Sequence, residues 1–113
     1  MRLEEFEEIC SALKGVATDM KWGENLCYMV KDKIFLLISL EVVPLTAAFK
    51  VDPEDFYELT GREGIIQAPH FAKTQWVSVT NISLLGKKEW EGWIKKSYDL
   101  VVQKLPAKVK KDL

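Results

Sequence analysis

The hydrophobic positions near the C-terminus repeat with a helical period. Apolar residues recur every three or four positions across residues 90–105, and they are Trp90, Trp93, Ile94, Tyr98, Val101, Val102 and Leu105. This stripe predicts a long amphipathic helix, which Pro106 ends. Because burying each large side chain contributes about 1.5–3 kcal/mol, we expect the apolar face of this helix to lie against a sheet.

A similar pattern begins the chain. Its apolar positions are Leu3, Phe6, Ile9, Cys10 and Leu13, and glutamates occupy the opposite side. The spacing predicts a first helix that is stopped at Gly15. A third, short helix is predicted at residues 53–60, where Asp52 is placed to cap the N-terminus and Pro53 occupies the first helical position.

Between these helices, short apolar segments are separated by turn residues, as is typical of strands, and residues 45–51 alternate between apolar and polar positions as expected when one face is buried. The predicted strands are residues 18–22, 26–31, 33–40, 45–51 and 75–80, and residues 65–73 are predicted to form an ordered loop with room for one helical turn. Short links favour antiparallel pairing, because parallel strands need longer crossovers. The predicted order is α-β-β-β-β-α-β-α. We therefore expect one α+β domain over residues 1–113, with two layers: an antiparallel sheet of about five strands, packed by the N-terminal and the long C-terminal helices.

The charge is nearly balanced overall but uneven along the chain. A net charge of −1 argues against binding of nucleic acid driven by total charge, although it leaves room for a local basic surface. Residues 87–113 hold eight lysines and four acids, whereas residues 52–63 hold five acids and one arginine. The sequence thus predicts a polarised molecule, and a charge bias of this size also serves solubility alone.

Residue types that carry catalysis are few. His70 is the single histidine, and Cys10 and Cys27 both lie within apolar patterns. These residues do not have the spacing of a zinc site, the glycines do not form a phosphate-binding loop, and His70 has no evident carboxylate or nucleophile partner. We therefore expect a non-enzymatic protein without metal or cofactor, and with both cysteines reduced and buried.

The chain also lacks the patterns of membrane insertion. It begins with an acidic amphipathic segment rather than the apolar stretch of a signal peptide, and its longest apolar run, residues 34–40, is too short to span a bilayer. We expect a cytoplasmic protein.

His70, Lys73 and Trp76 are spaced three residues apart. If a helical turn precedes the strand, these side chains would meet, and a cation beside an aromatic ring is one way to hold a phosphate and stack a base. The alternative is that His70 bonds a loop carbonyl, Trp76 fills core and Lys73 is solvated. Phe71 is expected to fill core in either case.

Several strings, in order, resemble the MmcQ/YjbR family of small bacterial proteins over nearly the whole chain. They are Met20-Lys21-Trp22-Gly23, Val30-Lys31-Asp32-Lys33-Ile34-Phe35, Phe49-Lys50-Val51-Asp52-Pro53, Ala68-Pro69-His70-Phe71-Ala72-Lys73 with Trp76-Val77, Ser97-Tyr98-Asp99-Leu100-Val101 and Lys104-Leu105-Pro106. The resemblance implies a CyaY-like fold and DNA binding through a feature described as a double wing, and it implies no catalytic residues. One departure is Gln67, which stands where relatives often have proline.

Two functional hypotheses follow. In the first, the protein binds DNA, and the candidate contacts are Lys21, Trp22, Lys31, Lys33, Lys50, His70, Lys73 and Trp76. In the second, it is a protein- or peptide-interaction module or a homodimer, because similar two-layer architectures serve as secretion chaperones. A small-molecule pocket around His70, Lys73 and Trp76 is a third possibility. Lysines clustered on one sheet face or hairpin tip would favour DNA, and dispersed lysines beside an apolar patch would favour a partner protein.

Overall fold

Six strands form one antiparallel sheet in the computed structural model, which describes residues 1–113. The strands are β1 (Val16–Lys21), β2 (Asn25–Val30), β3 (Lys33–Ser39), β4 (Thr46–Lys50), β5 (Ile65–Gln67) and β6 (Trp76–Val79). Their order across the sheet is β1-β2-β3-β4-β6-β5. Each neighbouring pair is antiparallel, so the chain reverses direction at every step and β1 and β5 form the two edges.

The helices are α1 (Leu3–Ser11), α2 (Pro53–Thr60), α3 (Lys87–Gln103) and α4 (Ala107–Lys110), with a 3-10 turn at Ile82–Leu84. At the start of α2, the carboxylate of Asp52 accepts a hydrogen bond from the amide of Asp55 at 2.8 Å. This bond satisfies one of the amide groups left free at a helix N-terminus, as the sequence predicted for Asp52.

The apolar stripe of α3 lies on one face of the sheet, which we call the inner face. Trp90 is completely buried there, and its ring meets the edges of Phe6 and Phe49 at centroid distances of 5.0 and 5.6 Å. Its indole nitrogen donates to the carbonyl of Ile82 at 2.8 Å, so the polar atom of this large side chain is satisfied. Trp90 thus joins α1, α3 and the sheet into one core.

Two hydroxyls attach α3 to the ends of neighbouring segments. Ser97, which is buried, donates to the carbonyl of Lys50 at the end of β4, and Tyr98 donates to the carbonyl of Lys14 just before β1. A hydrogen bond of this kind is directional, whereas apolar contact is not. These two bonds therefore set where α3 lies along the sheet.

The predicted class, a two-layer α+β domain with an antiparallel sheet, is confirmed. Three details were wrong. Residues 65–67 form β5 rather than a loop, which gives six strands instead of five, and residues 70–73 form no helical turn because His70 has a φ of 67°. The first helix ends at Ser11 rather than at Gly15.

The opposite face of the sheet, the outer face, has no helix on it. Two small buried clusters lie there: Cys27, Met29 and Leu37 in one, and Ala48, Ala68 and Trp76 in the other. Loop 68–75, between β5 and β6, folds over this face, and the ring of Phe71 stacks on that of Trp76 at 4.2 Å. None of the helices has the length and apolar character needed to cross a membrane.

Ile94 tests the packing of α3, because it is fully buried within the stripe. We expect Ile94→Ala to lower the free energy of unfolding by about 2–4 kcal/mol, through lost burial and the cavity that remains. Denaturant unfolding followed by circular dichroism measures the change. Glu91→Ala, on the exposed side of the same helix, is the matched control and should change stability by less than about 0.5 kcal/mol. Equal effects of the two substitutions would contradict this role for the stripe.

Candidate functional site

Lysines gather at the end of the sheet where β1 and β3 begin and β2 and β4 end. We call this surface the basic end, and its lysines are Lys14, Lys31, Lys33, Lys50, Lys104, Lys108, Lys110 and Lys111. The C-terminal tail reaches it because the side chain of Leu113 packs beside Gly15 and Val30. The acids within or next to these segments are Asp32, Asp52 and Asp112. Lysines therefore outnumber acids at the basic end, although the chain as a whole is slightly negative.

A cleft of about 370 Å³ lies within the basic end, between the sheet and the last turn of α3. Lys33, Lys50 and Lys104 line it together with apolar residues, and no carboxylate does. Burial lowers the pKa of Lys50, and the neighbouring ammonium group of Lys104 lowers it further. None of the three lysines forms an ion pair within the protein. The cleft thus concentrates positive charge that the protein does not neutralise.

Two connections project from the basic end. The β2–β3 hairpin turns at Lys31 and Asp32, whose φ values of 49° and 63° give the tight two-residue reversal that suits twisted strands. Loop 68–75 leaves the sheet at the same end, because β6 begins at Trp76 opposite Lys50. It carries Lys73, which has no acidic partner. Lys50 ends the strand that lies between these two projections.

Several acidic groups of α2 and α3 are paired with cationic side chains. Asp55 of α2 contacts Lys96, and Arg62 bridges Glu58 and Glu89 at 3.4 and 2.6 Å. Since α2 packs against β5 and β6, its acids lie toward that edge of the sheet. The later acids of α2 thus lie apart from the basic end, whereas Asp52 follows Lys50 closely there.

A second concave surface lies on the outer face, between the β1–β2 turn and loop 68–75. We call it the outer-face groove, and its volume is about 540 Å³. Its walls and floor include Trp22, Leu37, Ala48, Pro69, His70 and Phe71. Asn25, Ser39, Thr46 and Ser78 add amide and hydroxyl groups, and no lysine, arginine or carboxylate lines the groove.

Trp22 and His70, on opposite walls of the groove, both have left-handed backbone conformations, with φ values of 48° and 67°. A bulky residue there costs about 1–2 kcal/mol relative to glycine. His70 follows Pro69 in a turn closed by the bond from the amide of Phe71 to the carbonyl of Ala68, a position that glycine or asparagine usually takes. This backbone strain indicates that the side chains of Trp22 and His70 have a role in the groove that glycine could not fill.

Side-chain hydrogen bonds fix both walls. On one wall Asn25 donates to the carbonyl of Trp22 at 2.8 Å, and Glu41 accepts from the amide of Glu24 at 2.9 Å. On the other, the side-chain amide of Gln67 donates to the carbonyl of Ala68 at 2.9 Å and accepts from the amide of Thr74 at 3.0 Å. The departure at Gln67 noted in the sequence thus has a structural role, since this side chain holds the loop in shape.

The predicted contact residues separate into groups. Lys31, Lys33 and Lys50 meet at the basic end, whereas Trp22 and His70 line the groove. Lys21 lies at the opposite end of β1 and pairs with Asp19 at 3.7 Å. Lys73 is exposed in the loop.

Of the two alternatives for Trp76, the structure agrees with the one in which this ring fills core. Trp76 is only 7% exposed, because Phe71 stacks over it and Ala48 and Ala68 pack around it. It therefore supports the loop and has little surface to offer a ligand.

Sequence reasoning missed Lys104 and Lys14 as members of the basic end. The string Lys104-Leu105-Pro106 was noticed only as a family feature, and its lysine lies more than fifty positions from Lys50. The missing signal was the docking of α3 on β4 through Ser97, which brings Lys104 beside Lys50.

The two cysteines and the histidine lie apart. Cys10 belongs to the inner core, Cys27 to the outer-face cluster, and both are buried free thiols. His70 is exposed on the outer face. No three His, Cys, Asp or Glu side chains converge as a metal site would require.

Together, these features define a small α+β domain with a basic end and a separate uncharged groove. The sequence profile of the YjbR family matches residues 11–100, so the chain belongs to the YjbR family. The Deinococcus radiodurans protein DR2400, whose domain is DUF419, has a similar structure, with a TM-score of 0.89 and 24% identity over 97% of this chain and 86% of that one. The structure of a protein from Pseudomonas syringae is also similar to this chain, with a TM-score of 0.72 and 23% identity over 88% of this chain and 98% of that one. No curated protein matches.

The buried thiol of Cys10 should make the free energy of unfolding depend on pH in the alkaline range. Burial raises the pKa of its thiol to about 12 from an ordinary value of 9.0. The thiol is protonated in both folded and unfolded chains below pH 9, but between about pH 9 and 12 the unfolded chain releases the proton more readily, so stability falls as the pH rises. We expect the slope of unfolding free energy against pH to be shallower in Cys10→Ala, by up to about 1.4 kcal/mol per pH unit.

Denaturant unfolding at several pH values above neutrality measures this slope, with Ser11→Ala as the control at an exposed neighbouring position. A Cys10→Ala curve parallel to that of the unsubstituted protein would contradict the assignment, whatever the offset between the curves.

Proposed function

We propose that this protein is a non-enzymatic binding domain that contacts the phosphate backbone of DNA through its basic end. The observation that carries the proposal is the cleft lined by Lys33, Lys50 and Lys104 without a carboxylate. Family membership and the resemblance noted in the sequence agree with it.

The electrostatics of the cleft favour a phosphate. Lys50 and Lys104 repel one another, and burial disfavours the charged form of Lys50. An anion between the two ammonium groups would relieve this repulsion and strengthen hydrogen bonding to both. Binding of phosphates also releases the counterions of the nucleic acid, which supplies free energy that does not depend on sequence.

The shape of the basic end suits a duplex. The β2–β3 hairpin narrows to Lys31 and Asp32, with Lys33 at the base of the turn, and a two-stranded ribbon of this kind fits the major groove. Loop 68–75, with Lys73, supplies a second projection on the other side of Lys50. In this proposal the two projections are the two wings, and the lysines contact phosphates. Because phosphates carry no sequence information, the affinity for DNA should depend little on its sequence.

The double variant Lys31→Ala/Lys104→Ala tests the proposal. We expect the unsubstituted protein to bind a fluorescent duplex, with affinity that falls steeply between about 50 and 200 mM salt. Each lost phosphate contact should reduce the slope of log affinity against log salt by roughly 0.9. Fluorescence anisotropy at several salt concentrations measures both quantities.

The matched control is Lys88→Ala/Lys95→Ala, which changes the net charge equally on the exposed side of α3, away from the cleft. It should keep the original slope. If the protein binds no duplex at micromolar concentration and low salt, or if both double variants lose affinity equally, the proposal is wrong.

A second candidate is a homodimer formed through β1. This edge strand has six residues, four of them exposed in succession, and it has no proline to block pairing. Its unpaired backbone groups can add a strand from a second copy, with Ala17, Thr18 and Met20 brought into contact. The exposed apolar residues Met20 and Trp22 at one end of this edge agree with such an interface.

Light scattering after size exclusion tests the dimer. A dimer should have about twice the monomer mass of 13.0 kDa. Thr18→Lys would place like charges opposite each other near the centre of a symmetric pair and should give monomers, whereas Ser83→Lys, at an exposed site elsewhere, should not. A monomer mass at all concentrations excludes the dimer.

A further inference from the structure

We propose that the outer-face groove is a binding site for a flat, uncharged heterocyclic ring of the nucleobase class. The groove and the cleft of the basic end share no lining residue, and loop 68–75 contributes Pro69, His70 and Phe71 to the groove. Nucleobase binding in the groove does not require that the basic end binds DNA. It concerns a ring with hydrogen-bonding groups on its edge, either as a free nucleoside or as an unpaired base of a nucleic acid.

The size and charge of the groove define this class of ligand. Its volume of about 540 Å³ falls in the range of small-molecule sites, which combine apolar walls with a few polar groups. Because no lysine, arginine, aspartate or glutamate lines it, a ligand charge within it would lose its hydration without gaining a fixed ionic partner. The groove thus favours a neutral ring over a phosphate or a carboxylate.

Trp22 supplies a surface for stacking. It is 68% exposed, whereas Trp76 and Trp90 are buried and Trp93 is half-buried. An aromatic residue exposed in a left-handed turn costs the fold both strain and apolar exposure, and stacking of a planar ring on it would recover apolar burial. Phe71, across the groove, is held by its own stack on Trp76 and limits the space for the ring.

Groups able to bond the edge of a ring remain free. The hydroxyls of Thr46 and Ser78 and the imidazole of His70 line the groove, and none of them makes a hydrogen bond within the protein. Hydroxyls both donate and accept, and a neutral imidazole does so at its two nitrogens. These groups can therefore meet the mixed donors and acceptors on a nucleobase edge, which a purely aliphatic ligand would leave unused.

The groove is formed before any ligand arrives. Asn25 and Glu41 fix the turn that carries Trp22, and Gln67 fixes the loop that carries His70. A rigid site loses little conformational entropy on binding, so a small ligand can be held by few contacts.

A titration of the isotope-labelled protein with adenosine, guanosine, cytidine and thymidine, followed by NMR, tests the inference. We expect at least one nucleoside to shift the indole signal of Trp22 and the amides of Thr46 and Ser78. Trp22→Ala should weaken binding about tenfold or more because the stacking surface is removed, and Trp22→Phe should retain part of it. Ser78→Ala should weaken binding severalfold, which calorimetry can measure.

Two controls distinguish binding in the groove from binding elsewhere on the protein. Tyr57→Ala removes an exposed aromatic ring outside the groove, and Lys31→Ala/Lys104→Ala alters only the basic end, so neither should change nucleoside affinity. A short single-stranded oligonucleotide distinguishes the source of the ring: if it shifts the groove signals and nucleosides do not, the ring belongs to a polymer.

Three results would overturn the inference. One is the absence of groove shifts with every nucleoside and with the oligonucleotide at millimolar concentration. Another is unchanged affinity in Trp22→Ala. The third is binding of a tryptophan-containing peptide in the groove without binding of any nucleobase, which would assign the groove to a protein partner.

Discussion

The packing of α3 on the inner face determines where the rest of the molecule can act. Its apolar stripe buries Trp90 against α1 and the sheet, and two hydroxyls, of Ser97 and Tyr98, set its position along the strands. Because Ser97 bonds the carbonyl of Lys50, the last turn of α3 places Lys104 beside the end of β4. The pairing of Lys50 with Lys104 is thus a consequence of how the core closes, and a shift of α3 along the sheet would separate these two lysines.

The same packing leaves the outer face to a single loop. A sheet with apolar residues on both faces needs cover on each, and loop 68–75 covers only the part around Trp76 and Phe71. The remaining part, toward Trp22, is the outer-face groove. The helix and the loop therefore act together: the helix makes one surface positive, and the partial cover of the loop makes the other concave and uncharged.

Long periodic segments could be predicted from the sequence, whereas short or irregular ones could not. The stripe of α3 extends over sixteen positions, so its period is unambiguous, and turn residues bound the segments that form the first four strands. β5 has three residues, which is too few for any period to emerge. The helical turn considered at residues 70–73 does not form, because His70 takes a left-handed conformation. Local propensity gives little sign of such strain at a residue other than glycine.

The residues of the candidate site also differ in how far the sequence could place them. Lys31 and Lys33 could be placed together because a hairpin joins them, but Lys50 and Lys104 meet only through the fold. Trp76 and Val77 lie on opposite faces of β6, and the sequence pattern does not indicate that Phe71 covers the face of Trp76. Trp22, in contrast to Trp76, stays exposed, because Asn25 and Glu41 fix the turn around it. Burial on a face without a helix depends on loops, and a loop's path follows from specific hydrogen bonds such as those of Gln67, which no hydrophobic pattern records.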